Sequence, residues 1–264
     1  MTIPSIFVSH GAPDIVLKES AARDFLQDLS AITGIPDAIV ICSAHFETKG
    51  AVVVSDPSPE TTYDFGGFAP ELSEIIYPAP GDPRLAERVV SLIEGAGIDL
   101  RLAENRGFDH GVWTPLILAF PKAEIPVVQL SIDPARDAGY HYRLGAALAQ
   151  LRAENILIIG SGHITHNLRE MFSIMRGRNL SDENLPVKVD RFTDWISEMF
   201  SAGDTEALLN WKEQAPFARE NHPTDEHLMP LFFAYGAGGD GAGSELVHHS
   251  TDYGFFTSES WLFR

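Results

Sequence analysis

The chain has 264 residues, 44% of them hydrophobic, which suits one large domain or two small ones with a substantial core. A formal net charge of −18 argues against nucleic acid or an anionic membrane surface as partner, because both reward basic patches. No stretch reaches the roughly 18 apolar residues of a membrane span, "MTIPSIFVSHG" lacks a secretory pattern, and the lone Cys42 cannot form a disulfide within the chain, so a cytoplasmic protein with a buried, inert thiol is expected.

In chain order, "SIFV" (Ser5 to Val8) predicts a first buried strand and feeds His10. "SAARDFLQDLSAI" predicts a helix capped by Ser20 and stopped before Gly34. "AIVICS" (Ala38 to Ser43) predicts a second strand and feeds His45. The Gly- and Pro-rich stretch from Asp64 to Pro83 predicts an irregular segment, a pocket wall or an ordinary surface loop. "PRLAERVVSLIEGAG" predicts a helix with Pro83 in its first turn and glycines at its end. "GFDHGVW" places His110 in a loop, as a general acid or base or as a turn residue. "IPVVQLSI" (Ile125 to Ile132) and "ILIIG" (Ile156 to Gly160) predict two more buried strands, separated by the helical pattern "AGYHYRLGAALAQLRAE", in which His141 reads as a surface or packing residue. "GSGHITHNL" then puts His163 and His166 just past the strand, three residues apart and on one face if a helix starts there. "VDRFTDWISEMFSAG" predicts a helix, and Pro230 places the start of another near "LMPLFFAYG", with His227 at or just before its first turn.

Strands alternating with helices predict an α/β fold, a single domain with a largely parallel central sheet flanked by helices. Ligands of such sheets bind beyond the carboxyl ends of the strands, where His10, His45, His163 and His166 all fall. His10 and His45 each stand beside a small residue, Gly11 or Ala44, which leaves room for another atom, and imidazole is the commonest metal ligand. "NHPTDEHLMPLFF" offers His222, Asp225, Glu226 and His227 as sources of a third ligand, and spacing alone leaves His227 either a ligand or a helix cap. "GAGGDG" fits a dinucleotide-binding pattern but follows a helix instead of a strand, which predicts a flexible loop. Ser161 between glycines does not match the G-x-S-x-G spacing of a hydrolase nucleophile.

Eight motifs, "SHGAP", "SAHF", "DFGGF", "YPAPGDP", "GFDHGVWTPL", "VQLSID", "GSGHITHNL" and "PTDEHLMPLFFAYGA", stand in the order found in the class III extradiol ring-cleavage dioxygenases. From about Ile6 to Phe263 the chain resembles the 4,5-DOPA extradiol dioxygenase branch of that family. The resemblance implies one catalytic domain over residues 1–264, a non-haem metal, and a catechol-type aromatic diol and O2 as partners. It implies His10, His45 and His227 as metal ligands, His166 as a fourth metal-site residue or an acid/base beside the metal, and His110 as a second acid/base. His163 is expected to be structural or peripheral. Many extradiol enzymes use two histidines and a carboxylate; three histidines suit Zn(II) as well as Fe(II), so Fe(II) is expected for activity and Zn(II) as an alternative occupant of purified protein. A diol and dioxygen together need three open positions on a six-coordinate metal, which places His166 beside the metal. A zinc-dependent hydrolase and a non-catalytic metal-binding module are the competing readings. Nothing in the sequence indicates an oligomeric state.

Overall fold

The computed structural model describes residues 2–264. Eight strands form one sheet: β1 (Ser5–Ser9), β2 (Ala38–Glu47), β3 (Ala51–Val54), β4 (Leu100–Ala103), β5 (Val127–Ile132), β6 (Ile156–Gly162), β7 (Ser244–Asp252) and β8 (Phe256–Phe263). The order is β4-β3-β5-β2-β6-β1-β8-β7. The four central strands β5, β2, β6 and β1 are mutually parallel, while β8 runs antiparallel to β1 and β7 antiparallel to β8. The expected α/β architecture is therefore observed. The strands the sequence did not reveal lie toward the edges: β3 and β4 have only four residues each, and β7 is largely exposed.

The long helices are α1 (Ala21–Thr33), α2 (Pro83–Gly95), α3 (His110–Ala119), α4 (Ala138–Leu148), α5 (Leu168–Met175) and α6 (Leu185–Ala202). Three short ones, α7 (Thr205–Leu209), α8 (Trp211–Gln214) and α9 (Ala218–Asn221), precede α10 (Met229–Ala237). Successive residues of a strand point to opposite faces, so β2 serves two cores. Ile39 and Ile41 pack with Leu26 and Leu29 of α1 and Trp113 and Leu116 of α3. Val40 and Cys42 pack on the other face with Leu144 of α4, Phe192 of α6 and Phe232 of α10. Cys42 is fully buried, as expected.

Ser20 accepts a hydrogen bond from the Arg23 amide, as predicted, and α2 starts at Pro83, as predicted, with Asp82 as its cap. Two local expectations need correction. His110 is not in a loop: it is the first residue of α3, a helix hidden from the pattern by its uniformly apolar sequence and internal Pro115. The "GAGGDG" run is not wholly a loop, because Gly236 lies inside α10. A Cβ there would come 2.0 Å from the Tyr142 carbonyl oxygen of α4, so this glycine permits close helix packing.

The glycines of "GSG" have the same explanation. A Cβ on Gly160 would lie 1.9 Å from the Pro230 carbonyl oxygen, and one on Gly162 would lie 2.1 Å from that of His227. The strand therefore runs directly under the segment that carries His227, and the His163 amide donates to the His227 carbonyl at 2.9 Å. Gly162→Ala is expected to cost roughly 1–3 kcal/mol through overpacking and to weaken metal retention as His227 is pushed aside. Denaturant unfolding together with elemental analysis checks both; unchanged values would show that the segment yields freely.

Candidate metal centre and active site

The carboxyl ends of β1, β2 and β6 lie side by side, and the histidines meet there. His10 follows β1 directly. His45 lies within β2, past Ser43, the last residue paired to β6, where four steps of β2 span a single step of β5. This local irregularity turns the ring away from the ladder. His227 enters from the segment ahead of α10.

The Nε2 atoms of His10 and His45 are 3.1 Å apart, and those of His45 and His227 are 3.2 Å apart. One ligand atom from each of the three lies within 4.8 Å of the others. On the far side of each ring, Nδ1 faces an acceptor. His10 Nδ1 donates to Ser161 Oγ at 3.0 Å, since the Ser161 hydroxyl itself donates to the Gly111 carbonyl. His227 Nδ1 donates to Glu226 Oε1 at 3.0 Å, and His45 Nδ1 lies 3.5 Å from Asp64 Oδ2. With Nδ1 protonated in all three, each Nε2 presents a lone pair. Three lone pairs within 4.8 Å of one another form a donor set that a cation could bridge. For nitrogens about 2.1 Å from a metal, right-angle ligation separates neighbours by about 3.0 Å and tetrahedral ligation by about 3.4 Å, and the observed spacings fall between. The donor set fits a metal ion.

The pKa values agree with neutral rings. Burial first, then the neighbouring histidines, hold His10 and His227 well below the usual imidazole range. His45 is pushed down to about 3 by burial and by His110. His141, packed between Asp137 and the Asp133 amide, and His222 are held near 4, mainly by burial. His163 is likewise lowered. For each of these six rings the folded value lies below the ordinary 6.5. Below pH 6.5 the unfolded chain therefore binds more protons than the folded one, and stability falls as pH falls. Metal-free protein is expected to lose about 1 kcal/mol per buried ring between about pH 7.5 and 5.5, as read by denaturant titration at the two pH values. A flat profile would show that these rings can protonate in place.

Two carboxylates organise the outer ring of the site. Asp64 accepts from the His110 amide at 2.9 Å and from His110 Nδ1 at 3.0 Å, and also faces His45. Glu226 accepts from His227 and lies 3.4 Å from His166 Nδ1. Burial works against both anions, yet hydrogen bonds outweigh it, chiefly those of His110 for Asp64 and of His166 for Glu226, and hold each carboxyl near 2. Each carboxylate thus ties one of the three inner rings to one outer histidine. Behind His45, Ser43 Oγ accepts from its amide and Arg106 donates to its carbonyl, and both pair with the buried Asp109. A Cβ on Gly111 would lie 2.5 Å from Ser43 Oγ and 3.1 Å from the His45 ring, so glycine lets α3 start this close to β2.

His110 lies 3.8 Å from the His45 ring, centroid to centroid, and His166 stacks on His227 at 3.3 Å with an 18° tilt. All five predicted site histidines line one cavity of about 230 Å³, walled by Phe65, Phe68, Met171 and Phe256. The Asp64–Pro83 segment is a pocket wall at its first residues. His163 and His166 do not share a helical face, because α5 begins only at Leu168, capped by Asn167. The His163 ring packs 4.2 Å from Phe256, while that of His166 turns to His227. Asp64 was missed as a site residue: a carboxylate opening a Gly-rich loop has no distinguishing local pattern.

An α/β sheet with histidines converging on a cavity at its carboxyl edge is the framework of a metal-dependent enzyme. Residues 4–263 match the family described as the catalytic LigB subunit of aromatic ring-opening dioxygenase. The chain belongs to this family of aromatic ring-opening dioxygenases. It is 36% identical over 263 residues to a Beta vulgaris protein named 4,5-DOPA dioxygenase extradiol, covering 98% of this chain and 96% of that one. A protein of the same name from Escherichia coli (strain K12) is 37% identical over 238 residues, covering 89% and 85%. The crystal structure of an uncharacterized Escherichia coli K12 protein superposes with a TM-score of 0.79 at 32% identity, covering 99% of this chain and all of that one. Among the described residues, no helix is long and apolar enough to cross a membrane.

Proposed function

We propose that this chain, as one catalytic domain over residues 1–264, opens the ring of a catechol-type, DOPA-like diol on the extradiol side, using O2 and Fe(II) held by His10, His45 and His227. The observation that carries this reading is the meeting of three Nε2 atoms, with Nδ1 hydrogen-bonded away from the centre in His10 and His227 and turned toward the Asp64 carboxylate in His45. Three neutral donors leave the charge of a divalent ion to be balanced by the oxygens of an ionised diol. When bound, Fe(II) would supply the electron exchange between diol and dioxygen.

The protein's part is positioning and proton transfer. The Glu226 contact assigns the His166 proton to Nδ1, which leaves Nε2 to accept a proton from a diol hydroxyl. The Asp64 contact does the same for His110. Nearly parallel, stacked rings cannot both aim an in-plane lone pair at one ion, which supports His166 as an acid/base next to His227 instead of a fourth ligand. Phe65, Phe68 and Phe256 provide apolar walls for an aromatic ring. The single, buried Cys42 supports a reducing, cytoplasmic setting.

Three histidines also suit zinc acting on water, and dioxygen separates the two chemistries. Fe(II)-loaded protein is expected to consume O2 with a catechol, and zinc-loaded protein to bind catechols without consuming any. Oxygen-electrode traces on both forms decide. Equal uptake would show that redox at the metal is not the mechanism, and hydrolysis without uptake would favour the zinc reading.

A further inference from the structure

His45 leaves the sheet ladders before it reaches the other histidines. The registers of β2 with β5 and β6 reach Ser43, and pairing to β5 resumes only at Glu47, so His45 has no residue opposite it on either side. Its main chain must find other partners. Ser43 Oγ accepts from the His45 amide at 3.2 Å, and Arg106 donates to the His45 carbonyl at 3.1 Å. Both side chains converge on Asp109. Its Oδ1 accepts from Ser43 at 2.6 Å, and its Oδ2 accepts from Arg106 at 3.2 Å and from Gln129 of β5. Asp109 is fully buried and stands at the N-cap of α3, yet its side chain caps nothing there. An aspartate in that position ordinarily accepts from the first amides of its helix; this one is turned to β2 and β5 instead. Arg106 is aimed by its turn. Asn105 and Gly107 on either side have φ of 61° and 71°, a left-handed conformation that bends the chain sharply. The guanidinium also lies 4.6 Å from the ring centroid of Phe46, the residue after His45.

We propose that Asp109 and Arg106 are positioning residues for the metal centre: they clamp the His45 main chain and so fix the aim of its Nε2. The inference rests on the reading of His45 as a metal ligand. The rings of His10 and His227 are each oriented by a 3.0 Å hydrogen bond at Nδ1, whereas His45 Nδ1 lies 3.5 Å from Asp64. His45 is thus held least firmly through its own ring, and more of its direction comes from the backbone. The Asp109 network meets that need. Its arms reach the amide and the carbonyl of this one residue, at the place where β2 leaves its ladders. The same carboxylate ties the start of α3 to β2, and His110, the next residue, lies 3.8 Å from the His45 ring, centroid to centroid.

Chelator competition on zinc-loaded protein reads the effect without turnover. Arg106→Ala is expected to weaken zinc binding by roughly tenfold and Asp109→Asn by roughly 10- to 100-fold, the range for partners behind metal ligands. Because both act through one residue, the loss in the double variant should fall short of the product of the two single losses. Arg106→Lys keeps a cationic donor and should lie between wild type and Arg106→Ala. The visible absorption of Co(II)-loaded protein follows ligand geometry and should change in Arg106→Ala and Asp109→Asn, while circular dichroism of the metal-free chains stays that of folded protein. A purely structural tie would leave the Co(II) spectrum of the folded variants unmoved. If Asp109→Asn does not fold, the partly exposed Arg106 carries the test through its two variants. Wild-type zinc affinity and Co(II) spectrum in these variants, or losses that multiply in full, would overturn the positioning role where His45→Ala has lost its zinc. Wild-type zinc affinity in His45→Ala would instead overturn the reading of His45 as a ligand.

Discussion

Replacing His45 with alanine is expected to yield folded protein that no longer retains its metal. The ring is partly exposed, and the β2 residues that carry the cores, Ile39 to Cys42, lie before it. Its loss therefore opens no large void, and the backbone stays held through Ser43 and Arg106. What disappears is the central donor of the three, the one that faces both His10 and His227. Loss of a partner behind a ligand costs roughly 10- to 100-fold in metal affinity, and removal of the donor itself should exceed that. Elemental analysis after exchange into metal-free buffer, beside a circular dichroism spectrum of the same sample, makes the test. Wild-type stoichiometry in the variant would remove His45 from the metal centre.

His166→Ala should behave differently. The three convergent nitrogens belong to other residues, so metal content and anaerobic catechol binding are expected to persist. Turnover should fall by about 10² to 10⁴, the scale of a positioned proton-transfer group. Stacking on His227 and the contact with Glu226 place the ring beside the three-nitrogen centre and set its proton on Nδ1. His163→Ala is the control. Its contact with His227 runs through the main chain, so with ethylcatechol its turnover should stay within a few-fold of wild type. If His166→Ala loses its metal, His166 is a ligand and the argument from three open positions is wrong. If His163→Ala is the inactive variant, the two roles must be exchanged.

The alternation of β-branched runs with amphipathic stretches was legible because it reports burial directly. β1, β2, β5 and β6 lie at the centre of the sheet with both faces covered, so they are almost continuously apolar. The Ser20 cap and the Pro83 start of α2 are local chemistry and equally readable. β7 escaped because an edge strand facing solvent carries no apolar run. β8 is buried throughout, yet its "FTSES" start is polar, and its depth comes from lying between β1 and β7. α3 escaped because a helix buried on nearly every side has no polar face to give it a period.

The sequence alone determined the strand–helix alternation, the placing of His10, His163 and His166 beyond strand ends, and, through eight ordered motifs, membership of a ring-opening family. Only the tertiary structure decided which histidines meet. His10 and His227 are separated by most of the chain, and their joint contact with His45 depends on the β2-β6-β1 strand order and on two glycines thin enough to admit the His227 segment. The acceptors that favour each tautomer are largely set by the tertiary structure as well. Ser161 reaches His10 and Asp64 reaches His110 from distant positions, whereas Glu226 is the chain neighbour of His227 and meets His166 only through the fold. Spacing along a sequence records periodicity within one element, whereas a site assembled at the junction of five elements is fixed by how those elements pack.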